Sequence, residues 1–155
     1  MNPPDNPAPP ATAAGGRPPS YGHPIALDAA RRVMAAAEAE AERHDWPMVI
    51  AIVDTGGHLV MLHRMEQAQL GSIAIAQAKA ETAAKFRRST KVFQDAIAEG
   101  GAGLRMLSME GVSALDGGLP LMLRGEVVGA IGVSGMQSGQ DAEVARAGTA
   151  ALASA

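Results

Sequence analysis

The stretch Glu126–Gly148, "EVVGAIGVSGMQSGQDAEVARAG", decides how this chain of 155 residues is read. Its first part, EVVGAIGVS, is a continuous apolar run rich in branched residues, the pattern of a buried strand. The glycines at 135 and 139 then mark a turn, and "SGQDAEVARAGTAALA" continues as a helix. Ser138 or Gly139 stands near its start, with Asp141 in the first turn, where the helix dipole favours negative charge. Upstream, "LPLML" reads as another strand, joined to the first through a turn at Arg124–Gly125. A hairpin followed by a helix is the motif from which the rest is built.

The same motif recurs earlier in the chain. "MVIAIVD" (48–54), a "TGG" turn and "HLVMLHRM" form a second strand pair. Before it, Leu27, Ala30, Met34, Ala37 and Ala41 recur at helical spacing, with Arg31, Arg32, Glu38, Glu40 and Glu42 left for the solvent side. After it, "GSIAIAQAKAETAAKF" is too long and too Ala-rich for a strand, and "TKVFQDAIAE" begins a further helix with Thr90 as its N-cap. In residues 101–116, "LRMLSM" and "GVSAL" predict a third strand of the later group and its approach. Hairpin-linked strands imply an antiparallel sheet with helices packed on it, an α+β domain. Eight of the ten prolines fall within residues 1–24, which therefore read as a disordered tail before a single domain spanning 25–155.

Composition narrows the chemistry. With no cysteine, the chain has no disulfide, zinc-thiolate site, iron–sulfur ligation or thiol nucleophile. A formal net charge of −3, and a basic cluster (85–91, "KFRRSTK") without interleaved aromatics, argue against a nucleic-acid footprint. No apolar run approaches the ~20 residues that span a bilayer, so no membrane partner is expected. The first residues lack the basic and hydrophobic regions of a signal peptide, so a cytoplasmic location is the expectation. Two Phe, one Tyr and one Trp leave the interior to Ala, Val, Ile, Leu and Met, groups that allow tight layers.

Familiar catalytic motifs fail. "GVSGM" has Met136 where a nucleophile elbow needs glycine, and "GAGLRM" lacks the third glycine of a dinucleotide fingerprint. His58 and His63 are an odd number of residues apart, so on one strand they face opposite ways and cannot chelate one metal together. His44 suits the C-terminal end of the first helix, and His23, between tail and helix, is the candidate metal ligand. Lys79, Thr82 and Phe86 share one helical face, either as a binding amine and hydroxyl or as a snorkelling lysine and a packing threonine. "DGGLP" (116–120) is either a tight turn or a backbone cradle for a carboxylate, aided by the helix that begins near Ser138.

In order, "VIAIVDTGGHLVMLHRM", "AIAQAKAETAAKF" with "RRST", "GGLPLMLRGEVVGAIGVSG" and "QDAEVARAG" resemble the GlcG/HbpS-like family, which includes the C-terminal domain of PduO-type corrinoid adenosyltransferases. The resemblance covers roughly residues 25–153. It implies a profilin-like or PAS-like arrangement in α/β/α layers and a homo-oligomer, often an octamer. Gly129, Gly132 and Gly135 then let a central strand lie close to other backbone or to a ligand, and the space they leave is a candidate pocket. Carried onto this chain, the binding positions are Arg64, Lys79, Thr82, Gly117, Gly118, Pro120, Gly132 and Asp141.

Two functions follow from the resemblance. The first is a cytoplasmic, oligomeric binding protein for haem or a related tetrapyrrole, a corrinoid being the lesser candidate, with an imidazole on the iron and His23 as nominee. The second is an enzyme acting on a small hydroxy or oxo acid, with Arg64 and Lys79 holding carboxylate oxygens and the DGGLP amides polarising a carbonyl. For that reaction Asp54, Glu66, Asp116 and Asp141 are the available bases.

Overall fold

A computed structural model of the chain describes residues 16–154. Its elements are α1 (Leu27–Arg43), β1 (Val49–Asp54), β2 (Leu59–Arg64), α2 (Ser72–Phe86), α3 (Lys91–Glu99), a 3₁₀ helix (Gly101–Ser108), β3 (Gly118–Leu123), β4 (Glu126–Ser134) and α4 (Ser138–Ala153). The strands form one antiparallel sheet in the order β2-β1-β4-β3.

Alternation along the central strands divides the core in two. Ile50, Ile52, Ile131 and Val133 face one way, packing with Met34 and Val33 of α1 and Val144 and Ala145 of α4. Val49, Ala51, Val53 and Ala130 face the other way, onto Ala76, Ala80 and Ala83 of α2. The result is an α/β/α sandwich, with β1 and β4 buried between helices, which explains why both read as continuous apolar runs. Pro120 is tolerated because β3 is an edge strand, where a missing N–H leaves no neighbour unpaired.

The glycines of β4 leave no pocket. A Cβ at Gly132 would lie 2.1 Å from the Ala76 carbonyl oxygen and 2.5 Å from the Ala80 nitrogen, so the backbone of α2 occupies that room. At Gly129 the Val53 carbonyl does the same at 2.3 Å, and at Gly135 the Pro47 carbonyl at 2.4 Å. Gly132 lets α2 lie close to the sheet, and Gly129 and Gly135 let the backbone of β1 and of the loop before it approach, rather than leaving space for a ligand.

Other expectations are corrected in detail. Residues 101–108 form the 3₁₀ helix, with no residue buried, instead of a strand. Gly100 and Gly101, at φ +73° and +55°, turn the chain there, and the i,i+3 spacing of Leu104 and Leu107 suits that helix. Thr90 precedes α3 but makes no side-chain cap; its hydroxyl accepts the N–H of Gly118 at 2.9 Å. The cap of α4 is Gln137, one residue before Ser138, in a reciprocal box with Gln140. On α1 Val33 is buried, whereas Leu27 is exposed.

The tail boundary at 24 is also too late. Val127 N–H donates to the Ser20 carbonyl (2.8 Å), Gly22 N–H to the Val127 carbonyl (2.9 Å) and Ile25 N–H to the Val128 carbonyl (2.8 Å). Tyr21 makes a parallel bridge to Val127, and its hydroxyl donates to the Lys85 carbonyl at 2.8 Å. Arg87 lies over the Tyr21 ring, 5.0 Å from its centroid, and donates to the Pro19 carbonyl. β4 extends past the end of β1, and residues 20–25 satisfy the backbone groups left over. Residues 1–15 and 155 of the expected tail and domain lie outside the described residues.

Candidate functional site

The expected binding residues fall into three places. Lys79 and Asp141 meet inside the molecule. Lys79 Nζ donates to Asp141 Oδ2 and to the Val133 carbonyl, both at 2.8 Å, and Asp141 Oδ1 accepts the Met136 N–H at 2.9 Å. Burial pushes the Asp141 carboxyl above the usual carboxylate range, against the Lys79 amine and the N–H groups of Met136 and Gly135. Gly117, at φ +118°, closes over this pair: a Cβ there would sit 3.0 Å from Lys79 Nζ and 2.7 Å from the Val133 carbonyl oxygen.

Around the pair, the DGGLP segment is hydrogen-bonded internally. Asp116 N–H donates to Gln94 Oε1, Gly117 N–H to Asp116 Oδ1 and Gly118 N–H to Thr90 Oγ1, at 2.8–2.9 Å. No donor of these three is left for an anion, so the backbone cradle is closed by the protein's own acceptors. Thr82 Oγ1 accepts the Ser113 N–H at 2.9 Å and anchors the preceding loop. Pro120 pairs with Ala130 on the sheet edge, and Gly132 is covered by α2.

Arg64 lies elsewhere, exposed at the end of β2, opposite Val49 and two strands away from β4. It does not join Lys79. The constellation required for a small hydroxy or oxo acid is therefore not assembled: the amine is ion-paired, the amides are occupied and the guanidinium is on the far edge.

His23 is in the third place. It lines an apolar cavity of about 240 Å³ formed by Ile25, just before α1, Ala29 in its first turn, the β3–β4 hairpin (Leu123, Val128) and Leu152 of α4. The other imidazoles all have partners. His44 Nε2 lies 3.1 Å from Glu40 Oε1, His58 Nδ1 lies 3.2 Å from Asp54 Oδ1, and His63 Nδ1 lies 2.6 Å from Glu38 Oε1. Among the described residues His23 makes no side-chain hydrogen bond, leaving its ring nitrogens available for a ligand.

Two other features bear on ligand chemistry. Glu40, His44 and Glu143 bring three metal-ligating atoms within 4.8 Å of one another, but Arg43 already lies there, 2.6 Å from Glu40 and 2.9 Å from His44. Its guanidinium, through that hydrogen bond, holds the Glu40 carboxyl below its usual range. A shallower groove of about 420 Å³ between α2 (Ala74, Ile75, Ala78) and residues 111–115 has Ser113 as its single polar side chain.

Sequence reasoning nominated His23 but missed the cavity beside it. Leu123, Arg124 and Glu126 line it from the hairpin turn, and only the dipeptide Arg124–Gly125 was a signal, read as a turn.

Fold and site together define an α/β/α domain in which, among the described residues, one imidazole without a side-chain hydrogen bond lines an apolar cavity. The family model described as "Haem degrading protein HbpS-like" matches residues 25–150, and the chain belongs to this HbpS-like family. It is 39% identical to the protein GlcG of Escherichia coli K12 over 105 residues, 68% of this chain and 77% of that one. A doubly substituted form of HbpS from Streptomyces reticuli superposes with a TM-score of 0.76 at 32% identity, covering 94% of this chain and 97% of the other. A PduOC:haem complex superposes with a TM-score of 0.75 at 30% identity, covering 83% and 94%.

Proposed function

We propose that this protein is a cytoplasmic, homo-oligomeric binder of haem or a related tetrapyrrole, with a ring nitrogen of His23 donating to the iron. The observation that carries this reading is the His23 imidazole, unpaired among the described residues, on a cavity walled by Ile25, Ala29, Leu123, Val128 and Leu152. An apolar wall suits the face of a porphyrin, and a neutral imidazole suits its iron. The likeness to a haem complex of PduOC supports it, as does membership of the HbpS-like family. Bound haem supplies a redox-active iron whose properties are tuned by the axial ligand and by burial. Among the described residues no helix is long and apolar enough to cross a membrane.

Titration with haemin, followed by absorbance, tests the reading. A saturable Soret shift is expected in the wild type and in His44→Ala, His58→Ala and His63→Ala, but not in His23→Ala. Absent or non-saturating binding in the wild type overturns it.

A further inference from the structure

The His23 imidazole stands on a segment, residues 19–25, that belongs to no helix or strand. Its cavity lies on the α1 and α4 side of the sheet. The contacts that fix the segment just before His23 lie on the opposite side, at the end of α2. Tyr21 reaches across to that side, its hydroxyl 2.8 Å from the Lys85 carbonyl and 3.1 Å from the Ala84 carbonyl. Both belong to the last turn of α2, where carbonyls lack the partners they have inside a helix.

Arg87 completes the hold from the same helix end. It donates to the Pro19 carbonyl at 3.1 Å, and its guanidinium carbon lies 5.0 Å from the centroid of the Tyr21 ring. Two features of Arg87 are unfavourable in themselves. Its φ of +54° is left-handed, the region that favours glycine, and its Nε is buried without a hydrogen-bond partner among the described residues. A residue so placed persists where its surroundings over-determine it, and its side chain is held here by Pro19 and Tyr21. Between Tyr21 and His23 there is no slack. An added Cβ at Gly22 would lie 2.8 Å from Glu126 Oε2, and the Gly22 N–H is bonded to the Val127 carbonyl. The His23 ring makes no side-chain hydrogen bond of its own among the described residues, so the backbone of this segment is what aims it.

Building on the reading of His23 as a haem ligand, we infer that Tyr21 and Arg87 are positioning residues for it, acting from the far face of the sheet. They hold residues 19–25 in the conformation that presents the imidazole to its cavity, and they act through His23 rather than on the ligand. Without them the segment samples other conformations, and haem affinity falls by the fraction of time for which His23 is in place.

The test uses the full chain with Tyr21→Phe, Arg87→Gly and Arg87→Lys. Glycine suits the left-handed position, so Arg87→Gly removes the guanidinium without straining the end of α2. In the haem-free protein, amide hydrogen exchange at Gly22 and Ile25 is expected to be faster in Tyr21→Phe and Arg87→Gly than in wild type. Haemin titration of these two variants is expected to show affinity about tenfold weaker, the result of a segment in place a tenth of the time. Their Soret band at saturation keeps its wild-type position, because His23 is still the ligand. Arg87→Lys, which keeps a cation for the Tyr21 ring, is expected to recover part of the affinity. Unchanged exchange, or faster exchange with wild-type affinity, overturns the positioning role and leaves His23 as the ligand. A displaced Soret band at saturation also overturns it, since the variants then alter the ligation itself. No saturable haemin binding in the wild type overturns the haem reading and this inference together.

Discussion

Lys79 of α2 and Asp141 of α4 form an ion pair 2.8 Å long with side chains 2% and 4% exposed, joining the helices on opposite faces of the sheet. Lys79 also donates to the Val133 carbonyl and Asp141 also accepts the Met136 N–H, so one contact also holds the end of β4 and the turn after it. Such a pair orders structure, and removing one member leaves a charge stranded in the interior.

Lys79→Ala and Asp141→Ala are therefore each expected to cost about 3–5 kcal/mol in urea denaturation. Replacing both by apolar groups, Lys79→Met with Asp141→Leu, is expected to recover most of that loss. If Lys79→Ala unfolds at the wild-type midpoint, the architectural role of the pair is wrong.

Asp54 and Asp141 are expected to respond to pH with opposite signs. Burial tends to raise the Asp54 carboxyl, but the N–H groups of His58 and Gly56 and the His58 ring outweigh it and hold it below the usual range. Its contribution is present above the unfolded value of about 3.9 and is lost as pH falls through the lower folded value. The stability gap between wild type and Asp54→Ala should therefore narrow in acid. For Asp141 the folded value is raised, so its ionisation lowers stability as pH rises from the unfolded value through the folded one. Carboxyl-carbon NMR titration should place the Asp141 midpoint above that of Asp54.

Two glycines separate close approach from conformational freedom. Gly132→Ala puts a methyl against the backbone of α2 and is expected to cost at least about 2–3 kcal/mol. Gly139 lies in the first turn of α4 with nothing within 4 Å of an added Cβ. Gly139→Ala is expected to raise stability by about 0.5–1 kcal/mol. Thermal unfolding of the two variants against wild type checks both signs.

What was legible in the sequence was local. The apolar runs of β1 and β4, the turn at Arg124–Gly125 and the spacing of Ala30, Met34, Ala37 and Ala41 are patterns that the backbone imposes on neighbouring residues. What was not legible depends on partners far apart in the chain. Lys79 and Asp141 are 62 residues apart, and either is an ordinary helix residue until the fold brings them together. The DGGLP amides looked free because their acceptors, Gln94 and Thr90, lie on α3. Tyr21 carries no local signal, because its neighbours are Pro, Gly and Ser, a composition that argues for disorder unless a strand end needs covering. The same distance hid the site: His23 stood out by residue type, whereas the cavity beside it is made by three elements converging.

The pairing of residues 20–25 with the outer end of β4 sets where a shortened protein can begin. Family similarity starts at residue 25, and an expression boundary drawn there deletes Ser20 and Gly22, which bond Val127, together with Tyr21 and its hold on α2. It also deletes His23. A fragment trimmed to that limit is therefore expected to aggregate through its uncovered strand end and to show no haem affinity, so a negative binding result from it says nothing about the intact chain.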